Sequence, residues 1–356
     1  ELMRVSNMQQ LSLYLFGPLQ AKEFQFAIPA HADTAELTAV EGRGNSSIYK
    51  LQTGLGETFC IKLYPDEQDN SRMNREYDSL SRLKSFSTPT VRPIAKDENL
   101  SAVAFEWLDG VELRHPTKSN IDAAIQFLRS LVAISKKGVF DDMSAAAAAC
   151  FSGTEIEAQF DTRLAPFLSI GDPELIALVR QQLLPLKEKL SERAKKIQGD
   201  LEFNLKIGAH EKTVSPSDFG FHNCLQQFDG NLTFFDFEYF GWDDPVKLIS
   251  DFYFNLGMEL SQNLKSYWIS SAVDLYGFEI KRRLLAQLPL YGCFWVLINL
   301  NEFRSEVWGR RVGARPSLSG LQHQQMELKL ASSQKIIKSV EDSVVVLEEL
   351  LNGTRQ

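Results

Sequence analysis

Ser215-Pro216-Ser217-Asp218-Phe219-Gly220-Phe221-His222-Asn223, continuing through Cys224-Leu225-Gln226-Gln227-Phe228-Asp229-Gly230-Asn231-Leu232-Thr233-Phe234-Phe235-Asp236, is the stretch whose reading decides the fold. Its second half reads as a β-hairpin, because Asp229-Gly230 supplies two residues that tolerate positive φ in a tight turn. With 229 and 230 as a two-residue loop, residue 228 faces 231, and the same register places Asn223 opposite Asp236. Directly opposed side chains have Cβ atoms roughly 4.5–5.5 Å apart. An amide oxygen and a carboxylate then converge where one hard cation can bridge them. Asp236 is embedded in Phe234-Phe235-Asp236-Phe237, and a carboxylate in so apolar a run needs a partner or a metal.

Asp218 stands five residues before Asn223. Asp-x-x-x-x-Asn is the spacing of the kinase catalytic loop, where the Asp accepts the hydroxyl proton and the Asn binds magnesium. A separate metal-binding Asp should follow, and Asp236-Phe237-Glu238 fills that place. The tripeptide Asp218-Phe219-Gly220 therefore matches the kinase metal motif by accident, since that reading leaves no catalytic loop ahead of it and orphans Asp236. On these residues the chain resembles the aminoglycoside phosphotransferase and choline kinase-like families, small-molecule members of the protein-kinase-like superfamily. Their loop is typically His-Gly-Asp-x-x-x-x-Asn followed by Asp-x-Glu or Asp-x-Asp. Gly241-Trp242-Asp243-Asp244-Pro245 also resembles the Gly and Asp-Pro segment that often follows there. The chain departs from the pattern in carrying Pro216-Ser217 in place of His-Gly. The resemblance implies an α+β, protein-kinase-like bilobal fold with a β-rich N-lobe and a mainly helical C-lobe. It also implies Asp218 as catalytic base, Asn223 and Asp236 as magnesium ligands, and ATP or GTP as phosphoryl donor.

The same resemblance asks three things of the first lobe: a flexible loop over phosphates, a Lys on the third strand and a helix Glu to hold it. Gly42-Arg43-Gly44-Asn45-Ser46-Ser47 joins two strand candidates, and Gly42, Gly44 and Ser46 let backbone N–H groups approach phosphate oxygens. Lys62 ends Phe59-Cys60-Ile61-Lys62, where period-2 alternation puts Cys60 on its face, as a roof over the base, and turns Phe59 and Ile61 away. Lys62 is expected to serve the ligand and not a core, so its loss should leave the fold intact. Residues 72 to 84 read as a helix with Met73, Tyr77, Leu80 and Leu83 on one stripe and Glu76 on its packed flank. A Lys62–Glu76 pair would aim the ammonium at the phosphates, with a plain surface ion pair as the alternative. Glu106-Trp107-Leu108-Asp109-Gly110 resembles the hinge that hydrogen-bonds the base, with Glu106 and Leu108 named by position.

The lobe boundary is expected at Asp109, dividing the chain into a nucleotide clamp, 1–108, and a helical lobe, 109–356, that carries the catalytic loop and substrate pocket. Helical candidates follow from Asn120, an expected N-cap, and the five alanines 145–149 read as helix filler. Of the chain's 38 basic and 46 acidic residues, the first 108 hold 11 and 14, so neither part is a basic patch. Nucleic acid is disfavoured as a partner, because phosphate-backbone binding draws on clustered Lys and Arg. Cys60, Cys150, Cys224 and Cys293 are too scattered for a zinc site and are expected as reduced thiols. The most apolar run, Leu288 to Leu300, falls short of the ~20 residues that span a bilayer. Leu11 to Phe16 is too short for a signal-peptide core. A cytoplasmic small-molecule kinase without a membrane partner is the expectation, its oligomeric state open. Trp242, Trp295 and Glu302 are candidates for an aromatic and acidic acceptor pocket, against the alternative that Tyr291, Trp295 and Ile298 form helix core. Sugars, choline-like amine alcohols and aminoglycosides all stay open as acceptors. A catalytically impaired nucleotide-binding module is the alternative that the missing His-Gly raises.

Overall fold

Short alternating runs punctuated by glycine build the first part of the chain into a sheet. The computed structural model describes residues 35–40, 46–64 and 70–352. Strands β1 (Glu36–Val40), β2 (Ser47–Gln52), β3 (Thr58–Leu63), β4 (Pro93–Asp97) and β5 (Ala102–Glu106) form an antiparallel sheet in the order β1-β2-β3-β5-β4. One face carries Tyr49, Leu51, Ile61, Leu63, Ala102 and Ala104 into a buried cluster, with Phe59 packed on it. The period of two therefore leaves Cys60 and Lys62 on the other face, as the sequence expects. Between β3 and β4 runs helix α1 (Ser71–Lys84), which buries Met73, Glu76, Leu80 and Leu83. Tyr77, expected on the apolar stripe, is only half-buried, and the acid Glu76 takes the inner position.

The molecule divides into two compact units. The first holds the described residues up to Val111 together with Leu225–Glu238 and Ser305–Gln322, so it is not the contiguous 1–108 segment expected. The reason lies in backbone pairing: Phe234 N donates to Pro89 O at 2.8 Å and Val91 N to Phe234 O at 3.0 Å. The returning hairpin is thus stitched to the segment that leads into β4.

The hairpin itself corrects the expected register. Gln227 N donates to Asn231 O at 2.8 Å and Gly230 N to Gln227 O at 2.9 Å, which closes a three-residue loop over 228–230. Of the two turn residues only Gly230 has positive φ, at 86°, as in a type I turn followed by one left-handed residue. Residue 227, not 228, therefore faces 231, and the register no longer places Asn223 opposite Asp236. Neither residue lies in a strand: Asn223 ends a 3-10 turn, Phe221–Asn223, and Asp236 lies beyond the strand Leu232–Phe234 at φ 68°.

The second unit, Glu112–Cys224, Tyr239–Arg304 and the residues from His323 on, is mainly helical. Its helices include α2 (Lys118–Ser135), α3 (Gly153–Leu164), α4 (Leu184–Gln198), α5 (Pro245–Phe254), α6 (Gln262–Tyr276), α7 (Ile280–Asn299) and α8 (Gln322–Asn352). Thr117, not Asn120, caps α2; Asn120 sits at the third helical position and its Oδ1 accepts from Thr117 N at 2.9 Å. The core helix α7 packs against α3, α4 and α5. Among the described residues Ile280–Phe303 is the one helical stretch long and apolar enough to cross a membrane, and most of it is buried inside the protein.

The alanine run is not helical. Ala146 N donates to Trp242 O at 2.8 Å and Ala147 N to Tyr239 O at 3.1 Å, so the segment lies along the strand Gly241–Asp243. A Cβ on Gly241 would come within 2.6 Å of Ala146 N, which is why that position needs glycine. Long-range pairing here overrides a strong helix propensity.

Candidate active site

In the first unit the Lys62 side chain is 8% exposed. Its Nζ lies 2.7 Å from Glu76 Oε2, 2.5 Å from Asp236 Oδ1 and 3.2 Å from Glu238 Oε2. Glu76 is tied down on both oxygens: Oε2 also accepts from Tyr64 OH at 2.5 Å, and Oε1 from Phe237 N at 3.0 Å. Arg72 approaches Glu238 at 3.5 Å. Three carboxylates thus crowd one ammonium. Burial, with repulsion from Glu238 and Glu76, outweighs the pull of Lys62 and pushes the Asp236 carboxyl up to about 7. Burial alone would lower Lys62, but Asp236, Glu238 and Glu76 hold it well above its ordinary value.

One oxygen from each of Glu76, Asp236 and Glu238 lies within 4.8 Å of the others. With both Glu76 oxygens already engaged, Asp236 and Glu238 are the carboxylates left to offer oxygen to a hard divalent cation such as magnesium. The expectation that Lys62 could be removed without touching the fold is corrected here: without it three buried or half-buried acids lose their common partner. Cys60, on the same face, is a neutral thiol, its pKa pushed up to about 12 by burial. Ser46 is buried, while Gly42 and Gly44 lie outside the described residues.

Glu106 Oε1 accepts from Arg92 N at 3.0 Å. Glu106 and Leu108 line a cavity of about 650 Å3 with Arg92, Trp107, Asp109 and Phe228. None of Cys60, Lys62, Glu76 or Asp236 lines it.

In the second unit the loop 215–223 is anchored by alternate residues. Phe219 and Phe221 are buried in an aromatic group with Phe127, Phe252 and Trp268; Phe219 lies 5.7 Å from Phe127 and 5.8 Å from Phe252 between ring centroids. The phenylalanine of Asp218-Phe219-Gly220 is thus a core anchor. The flanking side chains, Asp218 and His222, turn toward each other, with His222 Nε2 3.1 Å from Asp218 Oδ1. Asn255, just past α5, adds Nδ2 at 3.3 Å to the same oxygen. Although burial pushes Asp218 up, the His222 hydrogen bond and charge, with help from Asn223 and Lys247, hold its carboxyl below the ordinary range. Asn223 Nδ2 donates to Asp218 O at 2.9 Å, which commits its nitrogen and leaves its amide oxygen as the donor atom for a cation.

Ser217 stands where the resembled families carry glycine, and it adopts the left-handed φ of 68° that glycine takes readily. Its Oγ reaches Ala147 O at 3.3 Å and its N donates to Ser215 Oγ at 2.9 Å. Behind the loop, Asp244 caps α5 through Val246 N at 2.8 Å and pairs with Arg283. Buried Lys247 bridges Asp251 at 2.6 Å and Asp243 at 3.5 Å.

The three acceptor candidates are each held by a different partner. Trp242 Nε1 donates to Phe140 O at 2.9 Å, Trp295 Nε1 to Asp251 Oδ1 at 3.1 Å, and Glu302, 3% exposed, lies 3.5 Å from Lys329. Trp295 is buried beside Tyr291, as the helix-core alternative has it. Sequence reasoning missed Tyr64, His222 and Asn255. Tyr64 follows Lys62 by two residues, as Glu238 follows Asp236, and His222 follows Asp218 by four. Asn255 had no local signal.

A model of the phosphotransferase enzyme family matches residues 36–269, most of the chain. The chain belongs to that family. No curated protein matches it in sequence. Among solved structures, a choline kinase from Streptococcus pneumoniae is similar at TM-score 0.53 and 13% identity, covering 85% of this chain and 93% of its own. A Plasmodium vivax ethanolamine kinase gives TM-score 0.52 at 16% identity, over 94% of this chain and 92% of its own. A spectinomycin phosphotransferase, solved with ADP and spectinomycin, gives 0.57 at 13%, over 91% and 99%. At such identities the likeness is one of fold: this phosphotransferase has the α+β architecture of the kinase-like small-molecule kinases, an antiparallel sheet first and helices after.

Proposed function

We propose that this phosphotransferase moves the γ-phosphoryl group of ATP or GTP to a hydroxyl of a small-molecule acceptor. The observation that supports this most is the Lys62 ammonium held at 2.7 Å by Glu76 and at 2.5 Å by Asp236, on the sheet face away from the core. A lysine fixed in this way has little rotamer freedom left to lose when phosphate oxygens replace a carboxylate partner. Asp218, ionised and hydrogen-bonded, accepts the hydroxyl proton as the acceptor oxygen attacks phosphorus. Asp236 in the first unit and the amide oxygen of Asn223 in the second would each offer an oxygen ligand to magnesium, which when bound would neutralise charge on the triphosphate. Cys60 roofs the base as an uncharged surface, Glu106 and Leu108 offer hinge backbone, and Gly42, Gly44 and Ser46 cover the phosphates. The acceptor is an aminoglycoside, a choline-like amine alcohol or a sugar, with half-buried Trp242 as the remaining candidate contact of the three, since Trp295 and Glu302 are buried. Location in the cytoplasm, where the nucleotide is supplied, completes the reading.

The test is a panel of amino alcohols, sugars and aminoglycosides assayed for ADP or GDP release with magnesium present. A panel member that raises nucleotide turnover well above hydrolysis, with a phosphate ester in the product, is the expected result. Binding of magnesium–nucleotide without turnover of any panel member or of water would defeat it.

A further inference from the structure

The His222 ring sits in a slot that leaves it almost no freedom. A Cβ on Gly257 would come within 2.7 Å of His222 Cβ, and one on Gly220 within 2.8 Å of His222 Nδ1. These two glycines let loop 215–223 and the turn after α5 close on the ring from two sides. Phe221 N donates to Met258 Sδ at 2.9 Å, which fastens the same two segments together. The side chain of His222 is 14% exposed and that of Asp218 38%.

Asn255 is equally fixed. Its Oδ1 accepts from Gly257 N at 2.8 Å, so its Nδ2 must be the atom that faces Asp218 Oδ1 at 3.3 Å and His222 Nε2 at 3.4 Å. An amide nitrogen only donates. If His222 Nε2 carries its hydrogen, both side chains donate to Asp218 Oδ1. If it does not, Asn255 donates to the ring and the histidine gives Asp218 nothing. The shorter His222–Asp218 distance, 3.1 Å, favours the first arrangement.

We propose that His222 and Asn255 are positioning residues for Asp218, clamping Oδ1 with two hydrogen bonds so that Oδ2 is presented to the acceptor hydroxyl. This rests on the general-base reading of Asp218. Two donors on one oxygen stop rotation of the carboxylate, and a misplacement on the order of 1 Å at such a group costs roughly 100-fold in rate. The chain thus supports its base from within the loop and from the end of α5, although Pro216-Ser217 stand before it.

Two measurements test this on the full chain. The first is magnesium-dependent ATP hydrolysis, water serving as acceptor. His222→Ala should lower kcat roughly 10- to 100-fold with the KM for ATP little changed, and His222→Gln, which keeps a donor, should recover part of the loss. In an Asp218→Asn background His222→Ala should cost nothing further, because its effect passes through that carboxylate. Equal fold losses in both backgrounds, or a rise in KM without a fall in kcat, would overturn the proposal. The second is the tautomer of His222 by nitrogen-15 NMR of the histidine side chains, its signal assigned by its loss in His222→Gln. Hydrogen on Nε2 is expected; a ring with hydrogen on Nδ1 alone overturns the clamp, and this needs no turnover. An Asp218→Asn enzyme that hydrolyses as fast as the parent would instead sink the general-base reading, whatever the tautomer.

Discussion

Asp218 and Asp236 both adjoin phenylalanines, yet their surroundings push them in opposite directions. Asp218 is more than a third exposed, receives His222 and Asn255 on one oxygen, and is held below the ordinary carboxyl range. Asp236 shares its space with Glu76 and Glu238, has Lys62 as its cation, and is raised to about 7. Hydrogen bonds, with the charges of His222 and Lys247, outweigh burial and keep the first ionised. Like charges leave the second in surplus, three acids to one lysine with Arg72 at the edge, a setting that a divalent cation would relieve. On the proposed reading the first carboxylate would take a proton and the second a metal.

The sharpest way to break this contrast is to neutralise each aspartate in turn. Asp218→Asn should lower transfer to acceptor or water by roughly 100- to 10,000-fold, the usual share of a positioned acid or base, while magnesium–nucleotide binding by calorimetry stays near the parent value. If that variant instead loses metal-dependent binding, the two roles are reversed. Lys62→Ala comes next, through stability: removing the cation from a buried cluster of acids costs about 3–5 kcal/mol. A denaturant midpoint equal to the parent's would show that the carboxylates do not depend on it. Asp236→Asn should weaken magnesium-dependent nucleotide affinity by about 10- to 100-fold, since even indirect supports of a metal site are worth that much. Titrations with and without magnesium decide it.

The smallest expected effect is with pH. An acid raised from 3.8 to about 7 gives the folded state stability that is fully present below about 3.8 and is lost as pH rises through about 7. A cation requires the ionised form, so the thermal shift given by magnesium should grow between about pH 6 and 8. In Asp236→Asn that growth should flatten; a magnesium shift of equal slope in both proteins would place the metal elsewhere. Asp218, already ionised well below that range, should contribute no such step.

Much of this was legible in the chain. The strands around Lys62 followed from alternation and the helix carrying Glu76 from its apolar stripe; the spacing of Asp218, Asn223 and Asp236, with the family resemblance, supplied the proposed base and metal ligands. These signals are local: a period of two or 3.6 tells which residues of one element share a face. What they could not give was the partner across space. The three-residue loop at 228–230 depended on one glycine's positive φ and on Gln227–Asn231 pairing, so a register derived from Asp229-Gly230 slipped by one. The alanines of 145–149 have helix propensity, but Trp242 O took the Ala146 donor and Tyr239 O that of Ala147. Lys62 read as a ligand-facing charge and is also the hub of a buried cluster, because Asp236 and Glu238 arrive from 174 and 176 positions away. His222 and Asn255 meet on Asp218 only once the turn after α5 closes on the loop, with glycines at 220 and 257 where any side chain would intervene. Sequence by itself set which groups exist and on which local face they stand. Tertiary structure decided which buried polar atoms meet, since burial obliges each to find a partner and folding brings in partners that chain spacing does not reveal.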